Sequence, residues 1–368
     1  DALRFGKASL EILDRAAPER FLAYGVVATA AIWLQRPAEL FAAAEGLTAE
    51  LGEGALTASQ VIGAGNVAGS LYYGGFVARG DALLPRIEAK GAAAIADEAN
   101  AAASVHHARA MRAAAVGDPE AELAEQLAAI VAFDLVGDRR NACRHRVNLG
   151  SSMQNFGLIA EAEEHLLRGL RDAERMGARS WVLVAKHNLG AAYARGGRYA
   201  EGIELEREAI AGFHEMGDRF FEAAARGYLA TMLRPTGALE EARAEAERGA
   251  ELFDDAPHAR APTLAVLALI EIDLGHADRA LAVAEEAVAL TKGRGICEGE
   301  TYVGLAYAEA LHAIGRVEEA KTAIRATRAR LLERAERIKN PDWRRAFLER
   351  VRENAQTLAR AEAWLGDS

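Results

Sequence analysis

Apolar residues recur three and four positions apart along most of this chain, and small residues interrupt the pattern at a regular interval. This spacing places the apolar side chains on one face of a helix. Ala200–Phe213 and Glu240–Phe253 are typical of the amphipathic stretches that result. The pattern predicts helices that pair through their apolar faces along the chain.

The interruptions follow a period of about 40 residues. A small residue stands five positions after a Gly in the pairs Gly157/Ala162, Gly197/Gly202, Gly237/Ala242, Gly275/Ala280 and Gly315/Ala320. The small residues of successive pairs are 40, 40, 38 and 40 positions apart. One helical hairpin needs about this length, so the period predicts a stack of hairpins.

A second marker keeps the same phase, at Gly137-Asp138-Arg139, Gly177-Ala178-Arg179 and Gly217-Asp218-Arg219. The Gly suits a helix end that needs positive φ, and Asp138 or Asp218 suits the N-cap of the next helix. Seven residues before each turn Gly lies a small residue that lets paired helices approach closely: Gly150, Gly190, Ala230, Ala268 and Ala308.

These hairpins resemble tetratricopeptide repeats of a long, roughly 40-residue variety. The resemblance is carried position by position by Leu189, Gly190, Tyr193, Gly197, Tyr199, Ile203 and Ala209. It covers Asp138–Ala335 in five units, with a weaker unit over Asp97–Val136 that turns at Gly117. The sequence departs from the family pattern at Gly202, where Ala is preferred, and at Pro257 and Pro262, which shorten a unit. The resemblance implies an all-α fold, a right-handed α-α superhelix with a C-terminal capping helix.

Both ends of the chain differ from the repeat. Residues 1–96 predict degenerate hairpins, with helices over Ala2–Ala16, Phe21–Leu34 and Leu56–Ala78 and turns at Arg36-Pro37 and Gly80-Asp81. Leu56–Ala78 carries no charge, but its polar residues and five glycines favour a helix buried in the solenoid over a membrane span.

At the other end, Asn340-Pro341 predicts the start of one or two helices over Pro341–Leu365. Trp343, Phe347, Leu358 and Trp364 would cover the last repeat. The resulting division is 1–96 for the degenerate hairpins, 97–336 for the repeat array and 337–368 for the cap, all in one continuous solenoid. The tail resembles the ends of repeat regions in large bacterial signalling proteins that carry a Ser/Thr kinase or a signal-transducing ATPase. Together with a first residue that is not Met, this favours an excised piece of a longer protein.

Composition narrows the possible partners. The net charge is −10 and no basic stripe dominates, which argues against nucleic acid. Half of the residues are apolar, and no segment suits a membrane span. Cys143 and Cys297, the only cysteines, are typical of reduced thiols in a cytoplasmic protein.

No catalytic, cofactor or metal motif is complete. Gly6-Lys7-Ala8-Ser9 lacks the Ser/Thr and the first Gly of a phosphate loop, and Gly63–Gly69 has the wrong spacing for a dinucleotide site. Close helix packing explains those glycines better. His106 and His107 diverge on a helix, and His145 has no carboxylate four residues on. We therefore predict no catalytic residues, no cofactor and no metal.

The resemblance places the first helix of each hairpin on a concave groove. It maps the groove-facing positions onto Arg144, Asn148, Ser151, Asn155, His187, Asn188, Ala191, Arg195, Tyr228, Thr231 and Arg234. Repeated Asn amides can bind a peptide main chain, and the Arg and His side chains would favour an acidic peptide. In the alternative interpretation, the Asn side chains bond to neighbouring helices, and Arg140, Arg144 and Arg146 pair with Glu161 or Glu163.

Three functions follow as hypotheses. The first is a non-catalytic interaction module that binds a peptide, a partner domain or an upstream domain of the same polypeptide. The second is a sensor of a small molecule or signalling peptide inside the superhelix, with Tyr228, Tyr302 and Glu309 as its ligand contacts. The third is an enzyme whose site has no recognisable motif.

Overall fold

The computed structural model describes residues 1–253, 257–291 and 299–366, with the backbone alone at 257 and 258. Every regular element among them is a helix, which confirms the all-α class. The chain forms two compact units, Asp1–Arg146 and Val147–Ser368. Cys297 lies outside the described residues, whereas Cys143 is buried.

The first unit contains helices α1 (Ala2–Ile12), α2 (Glu19–Trp33), α3 (Pro37–Glu50), α4 (Ala58–Tyr73), α5 (Val77–Lys90), α6 (Ala92–Asp97), α7 (Ala99–Val116) and α8 (Pro119–Leu135). Helix α9 (Arg139–Asn155) contains the division between the units. The second unit continues with α10 (Ile159–Arg175), α11 (Arg179–Arg195), α12 (Tyr199–Met216), α13 (Arg219–Leu233), a 3-10 turn (Arg234–Thr236), α14 (Leu239–Leu252), α15 (Pro257–Asp273), α16 (Ala277–Thr291), α17 (Glu300–Ala313), α18 (Val317–Glu336), α19 (Pro341–Glu349) and α20 (Arg352–Leu365).

The predicted turns of the repeat are confirmed. The backbone φ lies between +61° and +83° at Gly137, Gly157, Gly177, Gly197, Gly217, Gly237, Gly275 and Gly315. Only Gly adopts this region at low cost, so one residue type ends each helix at a fixed interval. Asp138 and Asp218 cap the following helices by accepting backbone N–H groups three residues on, at 3.1 and 3.2 Å.

The departure at Gly202 has a packing reason. Helices α11 and α12 approach so closely that a Cβ at Gly202 would lie 2.7 Å from the carbonyl oxygen of Gly190. That oxygen is backbone and cannot rotate away, so the Ala that the family prefers would force the hairpin apart. Pro262, the other departure, lies inside α15.

Two predictions for the N-terminal region are wrong. Leu56–Ala78 is not one helix, because α4 ends at Tyr73 and Gly75 turns the chain at φ +80°. Gly80 is not a turn residue either. It lies within α5, where the Tyr72 ring packs in the space that a Cβ would occupy.

Helix α1 ends at Ile12, four residues earlier than predicted, and a charged cluster holds its end. Arg20 Nη1 donates to the carbonyl oxygens of Leu10 and Leu13 at 2.6 and 2.9 Å. The same guanidinium donates to the Glu50 carboxylate, which also accepts from Tyr24 Oη at 2.9 Å. Arg20 is therefore buried with its donors satisfied, and α1 is tied to α2 and α3.

The acid dependence of this cluster is testable with Glu50→Gln. Hydrogen bonds from Arg20 lower the pKa of Glu50 below its ordinary 4.5, although burial opposes them. Because the pKa of Glu50 is lower in the folded state, its ionised carboxylate stabilises the fold above about pH 4.5. This contribution of Glu50 is lost as pH falls through the folded-state pKa. We expect Glu50→Gln to cost about 1.5–3 kcal/mol at pH 7, and the difference from wild type to shrink below pH 4.5. Urea unfolding at pH 7 and pH 3.5 measures it, and a difference independent of pH would contradict the prediction.

No helix of the described residues is long and apolar enough to cross a membrane. Leu56–Ala78 in particular is divided between α4 and α5.

Candidate functional site

The first helices of the second unit repeat their positions in register. Asn148 on α9, Asn188 on α11 and Tyr228 on α13 are 40 residues apart, and so are Ser151, Ala191 and Thr231. We call the surface formed by these six residues the first-helix face. Asn148, Ser151 and Asn188 are half-buried, and their side chains form no hydrogen bond to the part of the chain that the structure describes.

Gln154 adds a buried polar group beside this face. Its side chain is 3 % exposed, and Nε2 donates a long hydrogen bond, 3.4 Å, to the main-chain oxygen of Asn188. Oε1 has no hydrogen-bond partner among the described atoms. Such an acceptor loses its hydration without compensation, so a donor from a ligand would stabilise it. Sequence reasoning missed Gln154 because Ala194 and Arg234 replace it in the next two units.

His187 points into its own hairpin. Nδ1 lies 3.0 Å from both carboxylate oxygens of Glu206 on α12, and both side chains are buried. The ring also meets Tyr228 edge to face, with centroids 4.9 Å apart. Burial raises the pKa of Glu206, and the charge of His187 opposes that rise. His187 therefore holds α11 to α12 and α13, and its imidazole is engaged within the chain.

The arginines expected to make the groove positive have carboxylate partners. Arg195 Nη2 lies 3.7 Å from Glu353, and Arg234 Nε lies 2.6 Å from Asp273. Thr231 donates its hydroxyl to the main-chain oxygen of Gly227 at 3.0 Å. Asn155 and Arg195 stand at the C-terminal ends of their helices, two turns or about 10 Å from Asn148 and Asn188, and Arg234 directly follows α13. Among the predicted residues, Asn148, Ser151 and Asn188 thus form no side-chain hydrogen bond within the described chain, whereas Arg195 and Arg234 are paired with carboxylates.

Arg144 belongs to the first unit, together with His107 and His145. The two imidazole rings meet edge to face at 5.0 Å, and the His145 ring stacks on Phe133. Burial and the charge of Arg144 lower the pKa of His107 to about 3, so this histidine is neutral at physiological pH. Burial also lowers the pKa of Arg144, whose Nε finds no hydrogen-bond partner in the described structure.

In residues 1–253, 257–291 and 299–366, no three His, Cys, Asp or Glu side chains are grouped closely enough to hold a metal ion. His106 instead lies 2.6 Å from Glu125. Of the charges proposed for surface pairs, Arg146 pairs with Asp134, and Glu163 pairs with Arg198.

The residues of the sensor hypothesis are engaged within the chain. Glu309 on α17 pairs with Arg360 on α20. Burial raises the pKa of the Tyr302 hydroxyl, and Arg234, Arg352 and Glu353 are close enough to influence it. Tyr228 and Tyr302 are half-buried.

The C-terminal helices reach further than the predicted cap. Trp364 of α20 stacks on His312 of the last hairpin at 4.5 Å, and Asn340 caps α19 as predicted. Phe347 of α19 also lies 6.3 Å, ring to ring, from Phe156 at the end of α9. Gly157 allows this approach, because a Cβ there would lie 2.5 Å from the oxygen of Ala346.

A charged cleft of about 540 Å³ lies in the first unit, between α5, α7 and α8. Its charges are paired: Arg109 with Glu88 at 2.7 Å, and Arg112 with Asp81 at 2.6 Å. Tyr72 donates to the same Asp81 at 2.9 Å. These contacts explain how the cleft is stabilised, and they point to no particular ligand.

Comparison with known proteins agrees with this architecture. Residues 182–215, from α11 and α12, match the family model of the tetratricopeptide repeat. No curated protein matches the chain in sequence. A Rap protein in complex with Competence and Sporulation Factor superposes with TM-score 0.65 at 11 % identity, over 95 % of this chain and 100 % of that one.

The quorum sensor NprR from B. thuringiensis, in its apo form, has TM-score 0.60 at 11 % identity, over 93 % of this chain and 98 % of that one. NprR in complex with its cognate peptide NprX has TM-score 0.55 at 15 % identity, over 82 % and 84 %. These identities are low, so the likeness concerns the fold. Residues 182–215 thus match the tetratricopeptide repeat in sequence, and the described chain shares the helical fold of these structures.

Proposed function

We propose that this chain is a non-catalytic binding module whose first-helix face holds the main chain of an extended peptide. The observation that supports it most is the pair Asn148 and Asn188. They have the same register on the first helices of consecutive hairpins, and their side chains form no hydrogen bond with the described residues. An Asn amide offers one acceptor and two donor hydrogens, so it can bind a peptide group whatever the neighbouring side chain.

The spacing suits an extended peptide. Packed helices lie 8–10 Å apart, and an extended chain rises about 3.3 Å per residue. The two amides would therefore engage peptide groups about three residues apart. The buried acceptor of Gln154, next to Asn188, would receive a further donor from the same peptide.

The peptide could belong to a separate protein or to an upstream domain of a longer signalling polypeptide in the cytoplasm. NprR has been crystallised with its cognate peptide NprX, and a Rap protein with Competence and Sporulation Factor, which supports this proposal by analogy of fold only. The sensor hypothesis has less support, because Glu309 already pairs with Arg360. Amides, hydroxyls and paired arginines also favour binding over catalysis.

The direct test is Asn148→Ala/Asn188→Ala. Nonapeptides are selected from a randomised phage-displayed library on the wild-type protein, and the affinity of the best is measured by calorimetry. Losing two or more peptide hydrogen bonds at about 1 kcal/mol each should raise Kd about 30-fold or more. Asn100→Ala, an exposed asparagine on α7, is the matched control and should bind as wild type does.

Unchanged affinity in the double variant would place the peptide elsewhere, and failure to select any peptide would count against the proposal. Circular dichroism confirms that each variant remains helical. Binding by Tyr228→Ala and by Arg144→Ala distinguishes the sensor hypothesis from the interaction module. The sensor hypothesis predicts that Tyr228→Ala abolishes binding and that Arg144→Ala does not.

A further inference from the structure

The tail formed by α19 and α20 spans most of the second unit. It packs against α17 and α18, the two helices of the last hairpin. Its residues Phe347 and Ala346 pack against Phe156 and Gly157, which follow α9. Between these points the start of α20 contacts the end of α11 and the start of α12. Glu353 lies 3.7 Å from Arg195, and Arg352 Nη1 lies 3.4 Å from Tyr199 Oη. The tail is thus more than an end cap, since it contacts Arg195, which lies on the same helix as Asn188 of the first-helix face.

The polar contacts of the tail differ in strength along its length. The end of α20 is firmly attached, because Arg360 pairs with Glu309 and Trp364 stacks parallel to His312 at 4.5 Å. At the start of α20, Val351 is buried against α18, but the polar contacts with Arg195 and Tyr199 are long, at 3.7 and 3.4 Å. A well-placed carboxylate binds a guanidinium through two bonds near 2.8 Å. Glu353 is therefore a weak partner for Arg195 and can be outcompeted.

From these contacts we propose that the start of α20 is an internal ligand, with Glu353 in the place of a carboxylate of the bound peptide. An acidic peptide displaces Glu353 from Arg195 as it binds. Arg195 stands two turns from Asn188 on α11, about 10 Å away, which an acidic side chain or the C-terminal carboxylate of the peptide can reach. This inference rests on the proposed function and adds the kind of peptide and its competitor.

The test uses the full chain with Glu353→Gln, which removes the charge and keeps the shape. Its matched control is Glu362→Gln, an exposed residue on the same helix. The probes are an acidic library nonapeptide and its Glu/Asp→Gln/Asn counterpart. Removing an internal ion pair of this kind should tighten binding of the acidic peptide about threefold to fivefold. Glu362→Gln should bind as wild type does, and Arg195→Ala should bind both peptides equally.

Hydrogen exchange provides a readout that does not depend on affinity. Amides of residues 341–355 should exchange faster when the acidic peptide binds, and faster in free Glu353→Gln than in the free control. If the acidic peptide binds wild type and Glu353→Gln equally, with exchange unchanged, the internal-ligand proposal is overturned while peptide binding stands. If Glu353→Gln opens the tail and still selects no peptide, both proposals are overturned.

Discussion

Gly63→Ala is expected to destabilise the first unit by at least about 2 kcal/mol. Gly63 faces the backbone of α2, where a Cβ would overlap the carbonyl group of Phe21 and lie 2.6 Å from the main-chain nitrogen of Leu22. Because backbone atoms cannot rotate away, α2 and α4 would have to separate. Ala gains about 1 kcal/mol of helix propensity over Gly, so a net loss would show that the contact outweighs it.

Gly54→Ala is the matched control, because no atom lies within 4 Å of a Cβ at that position. Urea unfolding followed by circular dichroism measures both variants. If Gly63→Ala is as stable as the control, the two helices do not pack this closely. The same contact explains why Gly63–Gly69 resembles a dinucleotide motif without being one: Gly65 and Gly69 likewise face Ser104 and His107 of α7.

His187→Leu is expected to cost about 3–5 kcal/mol. Glu206 is fully buried, and His187 is its charged neighbour, so the substitution leaves a carboxylate buried without a partner. Replacing both members by apolar residues removes that carboxylate. We therefore expect His187→Leu/Glu206→Leu to recover most of the loss, since an apolar pair often substitutes for a buried ion pair at little cost.

The pH dependence of the single variant gives an independent check. Burial already raises the pKa of Glu206 above its ordinary 4.5, and loss of His187 should raise it further. A raised pKa means that stability is greatest below pH 4.5 and is lost as pH rises through the folded-state value. Chemical unfolding at pH 5 and pH 8 should find His187→Leu less destabilised, relative to wild type, at pH 5. Equal destabilisation at both values would contradict this assignment.

The candidate site was only partly predictable. The register of Asn148 and Asn188 is a repeat signal, so the sequence was enough to propose them as a pair. Gln154 has no counterpart in the neighbouring units, and its importance depends on burial that no local pattern indicates. Arg195 and Arg234 were predicted to make the groove positive, whereas each has a carboxylate partner distant in the chain.

The sequence by itself determined the helical hairpins, their period and their turns, because these depend on interactions within a few residues. A Gly at positive φ ends a helix, and Asp138, Asp218 or Asn340 begins the next one through its own side chain. Glycine has a second use, however, which is to let two helices touch. Gly75 and Gly80 look alike in the sequence, and only packing against Tyr72 makes the second a contact residue instead of a turn.

The tertiary structure alone decided which charges meet. His187 is buried against Glu206, and Arg195 meets Glu353 of the tail, because the helices between them bring distant segments together. Coulomb attraction acts through space and falls with distance, whereas the sequence records only separation along the chain. The polar positions of the first-helix face were therefore predictable from the repeat, and the contact of the tail with Arg195 was not.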